Sequence, residues 1–283
     1  MSVKTYLLGS GFVLSTAFSI YFAAASGAQT AVQAVPAHAF DYQIGAVLYQ
    51  QKSAEYRALA YQAYNLARLR LDEDLDKKAV KKLPKADRKK PRAIIVDIDE
   101  TVLDNSPANA YGAKNNLPFN VKDWYAWGEM RKAKPVPGAV DFLNYAVSKG
   151  VKIFYISNRD EPQKQATVDN LKSAGFQDVS ADNVWLRQNP ANSTKEPRRT
   201  DVAAKYRIVM LMGDNLDDFS NVFERKSMLE RFAAADNNRE LFGKRFIVLP
   251  NPMYGTWESA IYNYERLTEE QKAERRINSL ELP

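Results

Sequence analysis

Three short apolar runs, each closed by a tight polar group, constrain this chain more than any other feature. Ala93-Ile94-Ile95-Val96 runs into Asp97-Ile98-Asp99-Glu100-Thr101. Val151 to Ile156 runs into Ser157-Asn158-Arg159, and Ile208 to Met212 into Gly213-Asp214-Asn215-Leu216-Asp217-Asp218-Phe219. Runs of this length with no polar alternation predict strands buried on both faces of a parallel sheet. A fourth run, Phe246 to Leu249, stops at Pro250. Helical patterns lie between them, one through Phe142, Leu143, Ala146 and Val147 closed by Gly150, another from about Pro162 to Ala174 closed by Gly175. Strands alternating with helices predict an α/β fold, a parallel sheet flanked by helices on both faces. In open sheets of this kind ligands bind beyond the carboxyl ends of the strands. That edge is where Asp97, Asp99, Ser157, Asp214 and Asp218 converge.

Upstream, Tyr56, Leu59, Ala63, Leu66 and Leu69 recur at spacings of three and four, which predicts an amphipathic helix over Gln50 to Arg70. A basic stretch with breakers at Pro84 and Pro91 follows. Its reading is a solvated helix end and linker, because no aromatic residue interleaves the charges to stack on bases. The net charge of +6 suits anionic ligands in general.

Composition limits the chemistry. The chain has no cysteine, which excludes disulfides, thiolate catalysis and Cys-based zinc sites. Its one histidine is His38, near the N-terminus. Catalysis must therefore run on carboxylates, hydroxyls and lysines, with or without a metal. The first residues read as a secretory leader: Lys4, an apolar run from Tyr6 to Ala25, then small residues through Ala28. Cleavage is expected after Ala28, with Ala25 as a second site and an uncleaved anchor as the alternative. Residues 29–283 are expected to form one domain.

Two carboxylates at Asp97 and Asp99, two apart after a strand, would share a face in extended backbone and repel. An oxygen-only set with no histidine or cysteine suits a hard cation, Mg²⁺ above all. Asp214 and Asp218 would add ligands. Any one of these aspartates alone would read as a helix or turn cap; capping gives no reason for four to converge. Ser157 and Asn158 can donate to a phosphate oxygen, and Lys195 in Ser193-Thr194-Lys195-Glu196 can offset phosphate charge.

In order, these motifs resemble the haloacid dehalogenase superfamily, and in detail its bacterial class C acid phosphatases, which include outer-membrane lipoprotein 5′-nucleotidases. The matching stretches are IIVDIDETVLDNSP, NVKDWYAW, KPVPGAVDFLNY, FYISNRD, STKEPRR, GDNLDDFS and FIVLPNPMYGTWE, with YQQKSAEYRALAYQAYNLA upstream. The resemblance spans about residues 45–265. It implies a Rossmann-like parallel sheet with a small helical and aromatic cap drawn from about 45–90 and 105–135. It implies Asp97 as nucleophile and Asp99 as general acid and base, which also gives its carbonyl to the metal and is oriented by Thr101. Ser157 and Lys195 would hold phosphate, Asp214 would bind the metal, and Asp218 would steady the metal shell. Tyr254 and an aromatic from Tyr111–Trp127 would clamp a base or nicotinamide ring.

The implied activity is magnesium-dependent hydrolysis of small phosphomonoesters, including nucleoside 5′-monophosphates, through an aspartyl-phosphate. A broad-specificity sugar phosphatase or phosphotransferase would use the same motifs, and a non-catalytic ligand-binding relative would share the fold. No nucleic-acid polymer is an expected partner, and a homodimer is compatible with the sequence. The family's lipoproteins carry a cysteine at the end of the leader. This chain has none, so the expectation is a periplasmic or secreted protein without a stable membrane anchor.

Overall fold

The computed structural model describes residues 39–283. The expected leader and its cleavage site lie outside the described residues. Among the described residues no helix is long and apolar enough to cross a membrane.

Helices α1 (Asp41–Lys52) and α2 (Ala54–Leu75) come first, separated by Ser53, whose hydroxyl caps α2 by accepting from the Tyr56 N–H. The basic stretch folds into two short helices, α3 (Lys77–Lys82) and α4 (Lys85–Lys89), split at Pro84 and stopped before Pro91. Strand β1 (Arg92–Val96) follows. The chain then leaves the sheet through a two-stranded ladder, β2 (Leu103–Asp104) against β3 (Lys134–Pro135). Between the two lie α5 (Ser106–Lys114) and α6 (Val121–Met130). It returns as α7 (Ala139–Ser148), β4 (Lys152–Asp160), α8 (Lys164–Ser173) and β5 (Val184–Arg187). The remainder is α9 (Glu196–Lys205), β6 (Arg207–Gly213), α10 (Met228–Asn237), β7 (Phe246–Val248), α11 (Thr256–Ile261) and α12 (Glu269–Asn278).

The main sheet has the order β5-β4-β1-β6-β7, with every neighbour parallel. β1 is central, and Ala93 to Val96 are all buried, as a strand covered on both faces requires. One apolar cluster fills the face under α2, α7 and α8, including Ile94, Val96, Ile153, Leu171 and Met210. The other face carries Ala93, Ile95, Phe154, Leu211, Phe219, Phe223 and Phe246. The expected α/β sheet is thus present, with β5 as a fifth strand.

The sequence reading of α2 needs correction. Leu59 and Leu69 are exposed, and the buried face is Tyr56, Ala60, Ala63, Tyr64, Ala67 and Leu71. Alanines bring the helix close to the sheet, so its inward stripe is narrow and small rather than leucine-rich. Of the residues expected in a cap, α2 therefore belongs to the main core. Residues 105–133 form the excursion closed by β2 and β3, and α1 joins it: Gln50 donates to Asp104 at 2.7 Å and Gln51 to the Ser106 hydroxyl at 3.1 Å.

Candidate active site

Asp97 is the first residue beyond β1, and its N–H still bonds to the Met212 carbonyl of β6 at 2.9 Å. That bond fixes its backbone to the sheet. Its side chain is buried and accepts from the buried ammonium of Lys195, whose Nζ also reaches Asp218 Oδ1 at 2.6 Å. Lys195 directly precedes α9, and the loop before it is anchored by Thr194 donating to Glu224 at 2.6 Å.

Asp214 and Asp218 come from the end of β6. Asp218 folds back over the strand end and accepts from the Asn215 N–H at 3.0 Å. Gly213 makes this possible, because a Cβ at that position would collide with the Asp218 side chain. Buried Arg199 donates to the carbonyls of Asp217 and Asp218 at 2.9 and 3.0 Å and holds the turn. Asp214 accepts from Thr101 Oγ1 at 3.0 Å and from Asn251 Nδ2 at 2.9 Å. The Thr101 hydroxyl is thus given to Asp214 rather than to Asp99, while its carbonyl takes the Tyr64 hydroxyl at 2.5 Å.

The Asp99 carboxylate has its own set of donors. The chain does not stay extended after Asp97: Val102 and Leu103 both donate to the Ile98 carbonyl, and Glu100 sits at φ 56°, in the left-handed region. Asp99 accepts from Arg159 Nη2 at 2.8 Å and Nε at 3.0 Å, from Asn105 at 2.8 Å and from the Ser157 hydroxyl at 3.2 Å. Ser157 therefore points into the site, beside Asp99. The Asn158 side chain instead ties down the lysine loop, donating to the Ser193 carbonyl at 2.8 Å and accepting from Arg198 at 2.7 Å.

Tyr254 reaches the site edge through its hydroxyl, which donates to buried Glu100. Glu100 also accepts from the Asn105 N–H at 2.8 Å. Of the aromatic stretch, Trp127 donates to Asn105 at 2.8 Å, and Trp124 covers the Arg159 guanidinium at 5.4 Å. Phe119, mostly exposed, stands 6.4 Å from Trp124. Arg159, Asn105, Glu100 and Asn251 carried no assigned role in the sequence reading. For Arg159 the signal was there: it directly follows Ser157-Asn158 at a strand end.

Carboxylates outnumber cations at this edge. Burial pushes Asp97 upward; Lys195 opposes this, Asp218, Asp214 and Asp99 add to it, and the net direction is well up. Burial and Asp218 push Asp214 up to about 7, against the hydrogen bonds from Asn251 and Thr101. Burial, with Asp99 and Asp214, likewise raises Glu100. Burial works against the charge of Lys195, but Asp218 and Asp97 outweigh it and hold the ammonium above its ordinary value. One oxygen each from Asp97, Asp214 and Asp218 lies within 4.8 Å of the others. Three carboxylates this close, two buried and one half-buried, short of positive charge and without nitrogen or sulfur donors, fit a hard divalent cation.

The family profile for the HAD superfamily, subfamily IIIB (acid phosphatase), matches residues 8–257. The class C acid phosphatase from Bacillus anthracis is similar in structure, with a TM-score of 0.80 and 39% identity over 87% of this chain and 99% of that one. The same enzyme solved with tungstate bound gives a TM-score of 0.79 and 40% identity over 86% and 98%. Acid phosphatase 1 of Solanum lycopersicum is 27% identical over 166 residues, 56% of this chain. The matched part spans 57% of that plant relative's length. By the family profile and the structural likeness across nearly its whole described length, this chain belongs to the acid phosphatases of HAD subfamily IIIB.

Proposed function

We propose that this chain is a divalent-metal-dependent acid phosphatase that hydrolyses small phosphomonoesters through a phosphoryl group carried on Asp97. The observation that carries the reading is the buried Asp97 carboxylate, fixed at the end of the central strand and held by Lys195 among Asp214 and Asp218. Mg²⁺, held by Asp97, Asp214 and Asp218 with the Asp99 carbonyl, would offset the charge of an anionic phosphate against anionic carboxylates.

The residues divide the work as follows. Lys195 and Ser157 hold phosphate oxygens. An Asp97 oxygen attacks phosphorus, and the bond to the leaving oxygen breaks. Asp99 gives its proton to that oxygen. In the second step Asp99 takes a proton from the attacking water, and the phosphorus–Asp97 bond breaks. The requirement that Asp99 start protonated favours an acidic optimum. The tungstate complex of the Bacillus anthracis relative supports a tetrahedral oxyanion as ligand.

The exposed Phe119 ring beside Trp124 supports a flat leaving group such as a nucleoside. Tyr254 is tied to Glu100 by its hydroxyl, so its ring would serve as a fixed wall. The leader-like N-terminus and the absence of cysteine favour work in the periplasm or outside the cell.

The test is hydrolysis of an aryl phosphate from roughly pH 4 to 8, with Mg²⁺ or EDTA. Metal-dependent turnover with an acidic maximum, followed by turnover of nucleoside 5′-monophosphates, supports the reading. An inert protein with every divalent metal overturns it.

A further inference from the structure

The two oxygens of Asp99 are held very differently. Oδ1 accepts three donors: Arg159 Nη2 at 2.8 Å, Arg159 Nε at 3.0 Å and Asn105 Nδ2 at 2.8 Å. A carboxylate oxygen has two lone pairs, so three donors leave Oδ1 no room to carry a proton of its own. Oδ2 has only the Ser157 hydroxyl at 3.2 Å and a long contact to Arg159 Nε at 3.3 Å. Arg159 itself is fixed on every side. It is buried, its Nη1 donates to Thr167 at 3.2 Å, its Nη2 touches Asn105 Oδ1 at 3.3 Å, and Trp124 covers the guanidinium.

We propose that Arg159 is a positioning residue for the general acid: it saturates Asp99 Oδ1 and so leaves Oδ2, the oxygen facing Ser157, to carry the transferred proton. This rests on the reading of Asp99 as the acid. The proton passes from Asp99 Oδ2 to the leaving oxygen as the bond from that oxygen to phosphorus breaks; Arg159 gives up no proton and keeps its charge throughout. Two donors from one rigid guanidinium converging on Oδ1 are needed, and the compact ammonium of lysine supplies only part of this.

The consequence is selective. A nitrophenolate leaves without a proton, whereas an alkoxide does not. A misplaced acid therefore penalises alkyl esters far more than activated aryl esters, while a merely structural defect penalises both alike. The measurement is kcat/KM for 4-nitrophenyl phosphate and for glycerol phosphate, which reports the first displacement, in wild type, Asp99→Asn, Arg159→Met and Arg159→Lys. For Arg159→Met the expected loss is about tenfold on the aryl ester and about a thousandfold on the alkyl ester. Asp99→Asn should show the same bias, and Arg159→Lys should recover part of the alkyl rate. Should Arg159→Met fail to fold, shown by its melting curve, Arg159→Lys carries the comparison with a smaller bias of the same sign. Equal losses on both esters in the Arg159 variants, with the bias intact in Asp99→Asn, overturn the proposal. Absence of bias in Asp99→Asn removes the reading of Asp99 beneath it.

Discussion

At the amino ends of β1 and β6, Asp74 of α2 sits between two guanidiniums; at the carboxyl ends of the same strands, Asp97 and Asp214 meet Asp218 around one ammonium. Asp74 accepts from Arg92 Nε at 2.7 Å and from both terminal nitrogens of Arg207 at 2.6 Å. Burial raises its pKa, but the hydrogen bonds from Arg207 and Arg92 outweigh it, and the net direction is down. At the other end burial wins, and Asp97 and Asp214 are pushed up. Carboxylates of one sheet are thus charge-satisfied at one end and charge-starved at the other. The first arrangement pins a helix to the sheet. The second is a site that asks for a cation, which is how perturbed groups come to mark function.

The contrast can be broken most sharply at Asp97. Asp97→Asn should lower kcat by at least about a thousandfold. In chelator it should melt no lower than wild type, because one like charge has left the cluster. Lys195→Met should act in the opposite sense on stability. It strands Asp97 and Asp218, and chemical denaturation in EDTA should show a loss of about 3 kcal/mol that a divalent metal partly restores.

At the satisfied end, Asp74→Asn should cost about 2 kcal/mol, since hydrogen bonds to charged partners are lost. Its turnover per folded molecule should stay within about twofold of wild type. Equal damage to turnover would mean that the two ends are not separable.

The smallest effect is in pH. Asp214 binds its proton more tightly folded than unfolded, so between the ordinary carboxylate value and about 7 the folded state holds more protons. In EDTA its contribution to stability is therefore lost as pH rises toward 7. Asp74 has the opposite sign: its contribution is present above the ordinary carboxylate value and lost as pH falls below it. The melting gain on adding Mg²⁺ should accordingly be larger at pH 7.5 than at pH 5, by about 2–4 °C. An equal gain at both values would mean that the cluster is not short of positive charge.

How much of this was legible in the sequence follows from what local patterns can carry. β1, β4, β6 and β7 were readable because buried parallel strands are uniformly apolar. β5 was missed because Val184–Arg187 is a four-residue edge strand, alternately buried and half-buried. The leucines of α2 suggested its stripe, but the sheet selected the alanines and tyrosines. Strand ends brought Asp97, Asp214 and Asp218 together as expected. The Asn105 bond to Asp99 could not be read, because the chain between them turns through left-handed Glu100, and glutamate is not a residue that announces such a turn. The same holds for Arg159: its partner Asp99 is 60 positions away, and only the register of β4 beside β1 brings them together.

The central claim, that Asp97 carries the phosphoryl group, is tested most directly by rapid acid quench during turnover with Mg²⁺, followed by proteolysis and mass spectrometry. The expected result is a single phosphoryl group on Asp97 in wild type, formed at least as fast as kcat and absent in Asp97→Asn. Turnover with no phosphorylated peptide, or with the phosphoryl group on another residue, would contradict the claim.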